Sequence, residues 1–235
     1  MSMFGEYAAC YDLIYSDKDY AGEVDFATQL IEGGDEGPLE LLELGCGTGG
    51  HAILLSQQGH RVLGVDRSYK MLEQARQRLT QQSPAIAANV DLIQGDITTV
   101  DIGLKFDAAL AFFHVISYIT DDKTLAATFA NVRRQLKPGG RFLFDYWYGP
   151  AVVALKPESR IRIFEDQSRV VERTVVPTWL QEHHCVRIDI QLKIRDKSGG
   201  AIRQFDECHM MRYFEVDELR NLLDAAGFVM RRSSA

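Results

Sequence analysis

The stretch Glu43-Leu44-Gly45-Cys46-Gly47-Thr48-Gly49-Gly50 directly follows a short apolar run and opens a segment with apolar residues at helical spacing. Glycines between a strand and a helix let the backbone turn tightly and approach a ligand without a Cβ in the way. Through Gly45, Gly47 and Gly50 the stretch also satisfies the G-x-G-x-x-G pattern, which alone is a weak signal. The turn therefore predicts a ligand-binding loop on an α/β fold.

Short apolar runs alternate with helical patterns on both sides of this turn. The runs are continuous, as is typical of strands buried on both faces of a parallel sheet: PLELLEL, RVLGVD, VDLIQGD, FDAALAFF and GRFLFDYW. Repeated strand–helix units predict an α/β fold with a Rossmann-like, doubly wound, mostly parallel sheet. We also expect one or two helices within residues 3–32 and a further strand at FVMRR, near the end of the chain.

Residues 151–212 show a different pattern. Polar residues alternate there with apolar or β-branched ones, and DKSGGA supplies a hairpin turn. This pattern predicts an antiparallel β insertion after the fifth strand. The insertion is slightly basic whereas the rest of the chain is acidic, which would suit an anionic ligand.

The overall composition is that of a folded globular protein, with 46% hydrophobic and 25% charged residues. A net charge of −7 argues against a surface for duplex nucleic acid. The four cysteines are scattered without metal-site spacing, and no run approaches the roughly 18 apolar residues of a membrane helix. The N-terminus lacks the features of a signal peptide, so a cytoplasmic protein with no metal and no membrane partner is expected.

Three carboxylates are predicted to gather at one edge of the parallel sheet. Glu43 ends the first strand, Asp66 the second and Asp96 the third, and ligands bind at the carboxyl ends of such strands. A pyrophosphate would be repelled by this cluster. A ligand with a sulfonium, an ammonium, a diol and an adenine amine suits it better.

The motifs ELGCGTG, GVD, QGDI, FDAALAFFHVISYI and LKPGG occur in this order, and over them the chain resembles class I S-adenosylmethionine-dependent methyltransferases. The resemblance implies S-adenosyl-L-methionine as the cofactor. It implies that Glu43 and the glycine turn hold the methionine part, that Asp66 holds the ribose and that Asp96 reads the adenine. The full set of expected cofactor-binding residues is Tyr11, Tyr15, Glu43, Gly45, Cys46, Gly47, Gly49, Asp66, Arg67, Met71, Asp96, Ile97 and Phe112.

The N-terminal tyrosines Tyr7, Tyr11 and Tyr15 are spaced by four and therefore share one face of the predicted helix. The pattern YAACYDLIY resembles the N-terminal lid of small-molecule methyltransferases, including amino-sugar N-methyltransferases. In those enzymes lid tyrosines contact the cofactor. Ordinary core packing is the alternative for such an aromatic stripe.

His114 and Tyr118 follow the fourth strand and are the candidates for a base that takes a proton from the acceptor. The similar sugar N-methyltransferases carry a histidine where this chain has Tyr118, which leaves the identity of the base open. Transfer to an amine can also proceed by positioning alone. For His114 the alternative is a histidine satisfied within the core.

Candidate acceptor-binding residues follow the fifth strand and end the insertion: Asp145, Tyr146, Trp147, Tyr148, Arg212 and Tyr213. Aromatic rings beside a carboxylate suit a sugar, and FDYWYGPAVV resembles methyltransferases of polysaccharide gene clusters. We therefore expect methyl transfer to O or N of a small, sugar-like acceptor, such as a nucleotide-linked sugar. No nucleic-acid partner is expected, and a homodimer is compatible with the sequence.

The chain divides into three expected parts. Residues 1–37 form an N-terminal helical lid, residues 38–150 and 213–235 the cofactor domain, and residues 151–212 an acceptor-binding lid. Two other functions use the same glycine turn. One is a non-catalytic module that binds S-adenosylmethionine or S-adenosylhomocysteine. The other is a nicotinamide-dependent oxidoreductase, whose usual Tyr-x-x-x-Lys pair is not found after a strand.

Overall fold

The computed structural model describes residues 7–32 and 37–233. Two helices precede the first strand, α1 (Ala8–Ile14) and α2 (Tyr20–Glu32), as the sequence predicts for residues 3–32. The beginning of that prediction, at residues 3–6, lies outside the described residues. Across the described ranges, none of the helices combines the length and apolar character needed to cross a membrane.

A five-stranded parallel sheet forms the centre of the fold. Its strands are β1 (Glu40–Leu44), β2 (Arg61–Asp66), β3 (Val90–Gln94), β4 (Phe106–Ala111) and β5 (Leu136–Phe144). They lie in the spatial order β3-β2-β1-β4-β5, with every pair parallel. The order reverses between β1 and β4, which leaves a crevice at the carboxyl ends of these strands. The predicted Rossmann-like, doubly wound sheet is confirmed.

Helices cover both faces of this sheet, which explains the continuous apolar runs of its strands. They are α2 with α3 (Gly50–Gln57), α4 (Tyr69–Leu79), α6 (Asp122–Gln135) and α8 (Val216–Ala225), whereas the short α5 (Pro84–Ala87) packs on α3. On one face Leu41 packs in a cluster with Leu55 of α3. On the other face Leu42 packs in a cluster with Phe129 of α6 and Leu219 of α8. Neighbouring residues of one strand therefore both face apolar layers.

A second sheet is inserted after β5. Its elements are β6 (Trp147–Tyr148), α7 (Gly149–Leu155), β7 (Arg160–Glu165), β8 (Arg169–Leu180), β9 (Cys185–Asp196) and β10 (Arg203–Phe214). Strands β7 to β10 pair antiparallel in sequence order, and β6 pairs parallel with the end of β10. The predicted antiparallel insertion is confirmed, and DKSGGA connects β9 to β10.

The insertion packs against the N-terminal helix. Ile14 of α1, Met71 of α4, and Val171 and Ile190 of the insertion belong to one buried cluster. Helix α1 thus lies between the second sheet and the parallel sheet's carboxyl edge.

The prediction of a strand at FVMRR is wrong, because residues 228–232 have no regular secondary structure. Helix α8 ends at a left-handed Gly227, and the amide of Phe228 donates back to the carbonyl of Leu223 at 2.9 Å. Phe228 then packs on Phe142 of β5, with ring centroids 5.7 Å apart. The apolar side chains Phe228 and Met230 of this final segment pack against the core, but its backbone does not join the sheet.

Candidate active site

A cavity of about 550 Å³ lies at the carboxyl edge of the parallel sheet. This volume is within the range of small-molecule sites. Thirteen of the residues predicted for the site line it: Tyr11, Tyr15, Gly45, Gly47, Asp66, Arg67, Met71, Asp96, Ile97, Phe112, His114, Tyr118 and Trp147. The second sheet completes the wall with Arg173, Ile188, Ile190, His209 and Met211.

The glycine turn presents backbone rather than side chains to the cavity. Gly45 and Gly47 line it with φ values of +69° and +54°, which favour glycine. A Cβ on Gly47 would meet nothing within 4 Å, so it would project into open space at the cavity. Cys46 is buried and Gly49 caps α3, and neither lines the cavity.

Asp66 is held in a fixed orientation beside this turn. Its Oδ2 accepts from the amide of Gly47 at 2.9 Å, and its Oδ1 accepts from the amide of Ser68 at 2.7 Å. Burial raises the pKa of the carboxyl, and the two backbone hydrogen bonds oppose that rise. The residue still lines the cavity next to the exposed Arg67. A carboxylate in this place can accept hydrogen bonds from ribose hydroxyls.

The residues expected around the adenine lie on the same wall. Asp96 Oδ1 accepts from the amide and hydroxyl of Thr98 at 2.9 and 2.7 Å, which orders the loop after β3. Ile97 lines the cavity beside it, as do Met71 from α4 and Phe112 from the end of β4. The wall therefore combines a polar edge with apolar surfaces, as a purine ring requires.

Glu43 lies behind the turn and is 1% exposed. Burial, with Asp66 second, raises the pKa of its carboxyl to about 8. Among the described residues its Oε2 has no hydrogen-bond partner, and Nδ1 of His51 is 3.7 Å from Oε1. An orphaned buried carboxyl oxygen is costly unless a ligand satisfies it. Glu43 is not among the residues that line the cavity. Its orphaned oxygen lies behind the open cradle at Gly47, and together they fit a ligand with an ammonium group such as S-adenosylmethionine.

Helix α1 brings all three N-terminal tyrosines to the cavity. The hydroxyls of Tyr7 and Tyr15 are 3.1 Å apart, and the ring centroids of Tyr11 and Tyr15 are 4.7 Å apart. Burial raises the pKa of Tyr7 and Tyr11 well above the ordinary range. These phenols therefore stay protonated and serve as hydrogen-bond donors and aromatic surface.

His114 occupies a strained turn after β4. Phe113 and His114 have φ values of +66° and +62°, a region that non-glycine residues rarely adopt. Asp145 stabilises this turn, because its Oδ1 accepts from the His114 amide at 2.8 Å and its Oδ2 is 3.2 Å from Nδ1. Burial lowers the pKa of His114, although the neighbouring Asp145 opposes that change. Asp145 thus contacts His114 but does not itself line the cavity.

Tyr118 contacts a histidine that sequence reasoning missed. The Tyr118 hydroxyl is 2.8 Å from Nδ1 of His209, and Nε2 of His209 is 3.1 Å from Oε2 of Glu207. His209 lines the cavity and is 4% exposed. Nearby, the amide of Trp147 donates to the hydroxyl of Ser117, which fixes the indole at the cavity wall.

Two predicted acceptor residues face elsewhere. Tyr146 and Tyr148 line a separate groove of about 320 Å³, next to Arg220 and residues 230–233. Tyr146 also packs in the core cluster beside β5. Since Trp147 alternates with them along the chain, only the middle residue of this aromatic triplet reaches the main cavity.

Arg212 and Tyr213 are also outside the cavity. Arg212 is buried and its guanidinium binds Asp122 at 2.6 Å and Glu218. The Tyr213 hydroxyl accepts from Nε1 of Trp179 at 3.1 Å. Both side chains therefore have structural partners that tie β10 to its neighbours.

Arg173 of β8 is a charged cavity residue that the sequence did not single out. Its guanidinium carbon is 5.5 Å from the ring centroid of Tyr15 and 5.9 Å from that of Tyr7. Its Nε is buried without a hydrogen-bond partner, and within the described ranges no carboxylate forms an ion pair with it. The second sheet thus brings a positive charge, unpaired within the described part of the chain, to the cavity that Asp66 and Asp96 also line.

Comparisons with known proteins agree with this geometry. Residues 41–140 match the family model described as a methyltransferase domain. The Bacillus subtilis (strain 168) protein YqeM, which is named as a methyltransferase, is 30% identical over 97% of this chain and 87% of its own length. The dTDP-3-amino-3,4,6-trideoxy-alpha-D-glucopyranose N,N-dimethyltransferase of Streptomyces venezuelae is 29% identical over 94% of this chain and 90% of its own.

Among solved structures, the S-adenosylmethionine-dependent methyltransferase of Clostridium acetobutylicum ATCC 824 superposes with a TM-score of 0.77. It is 26% identical, and the match covers 94% of this chain and 86% of that one. These matches include the second sheet as well as the parallel one. The chain therefore belongs to the S-adenosylmethionine-dependent methyltransferases, and S-adenosylmethionine is its cofactor.

Proposed function

We propose that this enzyme transfers a methyl group to a nitrogen or an oxygen of a small, nucleotide-linked sugar. The observation that carries the proposal is the second wall of the cavity, where Arg173 has no counter-ion among residues 7–32 and 37–233 and Trp147 offers an aromatic face. A sugar can stack on such a ring, and a phosphate can bind such a guanidinium.

The cofactor end of the cavity would be held by the residues that follow β1, β2 and β3. S-adenosylmethionine, when bound, supplies a methyl group that its sulfonium activates for attack. Asp66 would bind the ribose, Asp96 and Ile97 the adenine, and Glu43 the ammonium. Tyr11 and Tyr15 would close the site over the methionine part and exclude water.

The acceptor end would lie between His114, Trp147 and the second sheet. Alignment of the acceptor atom with the transferring methyl group is the main contribution that such a site makes to the rate. The Streptomyces venezuelae relative is named for N,N-dimethylation of a dTDP-linked amino sugar, which favours nitrogen as the acceptor atom here. An acceptor hydroxyl would also need a base.

We also propose the division of labour within the chain. Residues 1–37 would act as a lid, residues 38–150 and 213–235 would hold the cofactor, and residues 151–212 would bind the acceptor. The four cysteines are free, three of them buried, which fits an enzyme that works in the reducing cytoplasm.

The test is turnover with a panel of acceptors. The enzyme is incubated with ¹³C-methyl-labelled S-adenosylmethionine and a dTDP-linked amino sugar, its hydroxyl analogue, the free amino sugar, or glycine. Products are analysed by mass spectrometry. We expect one or two labelled methyl groups on the dTDP-linked amino sugar and at least tenfold slower transfer to the free sugar. Binding of S-adenosylhomocysteine without transfer to any sugar nucleotide would refute the proposed acceptor.

A further inference from the structure

Tyr118, His209 and Glu207 form a hydrogen-bonded chain that starts at the cavity wall. Tyr118 comes from the 3₁₀ turn Val115–Tyr118 after β4, whereas His209 and Glu207 come from β10 of the second sheet. The two links measure 2.8 Å and 3.1 Å between heavy atoms. Residues two apart on a strand share a face, so β10 directs Glu207 and His209 to the same side.

The side chains of His209 and Glu207 are largely shielded from solvent. They are 5% and 12% exposed, and Tyr118 is half-buried. Both Tyr118 and His209 line the cavity. A proton could therefore enter this chain from a bound acceptor more easily than from bulk water.

The chemistry of the three groups fixes the direction of the hydrogen bonds. An ionised Glu207 can only accept, so Nε2 of a neutral His209 must donate to it. Nδ1 of that imidazole is then an acceptor, and the Tyr118 hydroxyl donates to it. Burial raises the pKa of Tyr118, so this phenol cannot act as a base unless its own proton moves on to His209.

We infer that Tyr118, His209 and Glu207 form a proton relay that deprotonates the acceptor during methyl transfer. The acceptor atom forms its bond to the methyl carbon while the electron pair of the carbon–sulfur bond stays on sulfur. The acceptor proton passes to the Tyr118 oxygen as the phenol proton passes to Nδ1 of His209. The carboxylate of Glu207 then stabilises the imidazolium by accepting the hydrogen bond from its Nε2–H. In this scheme Tyr118 contacts the acceptor, and His209 and Glu207 are positioning residues that act through it.

Other titratable groups also face the relay. The ring of Tyr7 lies 6.2 Å from that of His209, and Tyr15, Arg173 and Asp66 influence Tyr118 electrostatically. Burial raises the pKa of Tyr7 well above the ordinary range, so this phenol does not titrate near neutral pH. An arginine keeps its charge at every working pH.

The relay rests on the proposed methyl transfer, so one test does not depend on turnover. Nitrogen-15 labelling of the histidines allows the tautomer of His209 to be read by NMR, with His209→Gln identifying its signals. We expect a neutral ring protonated at Nε2 at pH 8, and a changed Nδ1 signal in Tyr118→Phe. A ring protonated at Nδ1 would overturn the relay, because Nδ1 could not then accept the phenol proton.

The second test uses the acceptor that the wild-type enzyme methylates. We expect kcat to fall about 100-fold in His209→Gln and at least tenfold in Glu207→Gln. The deficit should shrink as pH rises, because solvent hydroxide replaces the missing base, and imidazole should partly rescue His209→Ala. Binding of S-adenosylhomocysteine should stay within twofold of wild type. The exposed His183 is the matched control, and His183→Gln should change neither kcat nor the pH profile.

The failures of the two proposals are distinguishable. A wild-type enzyme that methylates no sugar nucleotide contradicts the proposed function. A wild-type enzyme that does so, with variants at His209 and Glu207 that keep its kcat and pH profile, contradicts the relay alone. If a variant at His209 or Glu207 fails to bind S-adenosylhomocysteine, its kinetics are set aside. The relay is then tested by the kcat of Tyr118→Phe and by the tautomer of His209 in the wild-type NMR spectrum.

Discussion

The amide of Gly47 donates to Oδ2 of Asp66 at 2.9 Å, which ties the glycine turn after β1 to the carboxyl end of β2. The other oxygen of Asp66 accepts from the amide of Ser68 at the start of α4. One carboxylate therefore orients the glycine turn and also faces the cavity. Its loss should affect cofactor binding through both roles.

We predict that Asp66→Asn weakens S-adenosylhomocysteine binding roughly 10- to 100-fold, since an amide nitrogen replaces one charged acceptor. Isothermal titration calorimetry measures this directly. Asp101→Asn is the control, because Asp101 makes the same kind of turn contact with the amide of Gly103 away from the cavity. Equal affinities of Asp66→Asn and wild type would exclude Asp66 from the cofactor site.

Gly47 and Gly103 allow backbone strain to be separated from ligand contact. Both have left-handed φ values, +54° and +70°, and in neither does an added Cβ meet an atom within 4 Å. Alanine should therefore destabilise each by about 1–2 kcal/mol. Only Gly47 lines the cavity, so only Gly47→Ala should lose S-adenosylhomocysteine binding. We expect the two variants to show a similar loss of Tm but different affinities for S-adenosylhomocysteine by calorimetry. Retained binding in Gly47→Ala would argue against a cofactor cradle at this glycine.

Glu43 makes the stability of the ligand-free enzyme depend on pH. Its folded pKa of about 8 is above the usual value of a glutamate, so the folded state keeps a proton that the unfolded state has lost. Stability should fall as pH rises from about 4.5 to 8 and then level off. Glu43→Gln should remove this loss, on the order of a few kcal/mol, and raise Tm at pH 8 more than at pH 5.

The same carboxyl should release a proton when the ammonium group of a ligand binds beside it. Calorimetry of S-adenosylhomocysteine at pH 7 in buffers of different ionisation enthalpy measures that release, which Glu43→Gln should abolish. The control is Glu40→Gln on the same strand, where the carboxyl is half exposed beside Arg61. A binding enthalpy independent of buffer would show that Glu43 keeps its proton.

The residues that the parallel sheet contributes to the cavity could be predicted because they follow directly from local pattern. Asp66 ends β2 and Asp96 follows β3 by two residues, and the carboxyl ends of parallel strands meet at one edge. The wall that the second sheet contributes could not be predicted in this way. Arg173 and His209 belong to strands whose alternating pattern defines two faces without showing which one meets the cavity. That choice depends on how the second sheet packs against α1, a contact between segments far apart in the chain.

We predict that Arg173→Met raises the KM for a sugar nucleotide at least tenfold, because the acceptor's phosphates lose a charge-assisted partner. The affinity for S-adenosylhomocysteine should stay within twofold, which separates an acceptor contact from a cofactor contact. Arg195→Met removes the same charge from an exposed position of β9 and should change neither value. A weaker S-adenosylhomocysteine complex in Arg173→Met would instead place this arginine at the methionine carboxylate.

Arg212 illustrates why a charged residue near a site is ambiguous from sequence. Its partners Asp122 in α6 and Glu218 in α8 become visible only in the folded chain. Asp122 is 73% exposed, so solvent screens its ion pair with Arg212, and Arg212→Met should cost about 2 kcal/mol and lower Tm by roughly 5 °C. The acceptor KM should stay the same.

Arg220→Met is the control for that change, because Arg220 pairs with an Asp217 that is 85% exposed and should contribute almost nothing to stability. Thermal unfolding and steady-state kinetics of the two variants are compared under the same conditions. A raised KM for the acceptor in Arg212→Met with an unchanged Tm would restore Arg212 to the acceptor site. A lowered Tm with an unchanged KM would instead show that its guanidinium joins β10 to α6 and α8. That contact would hold β10, which also carries His209, in place beside the cavity.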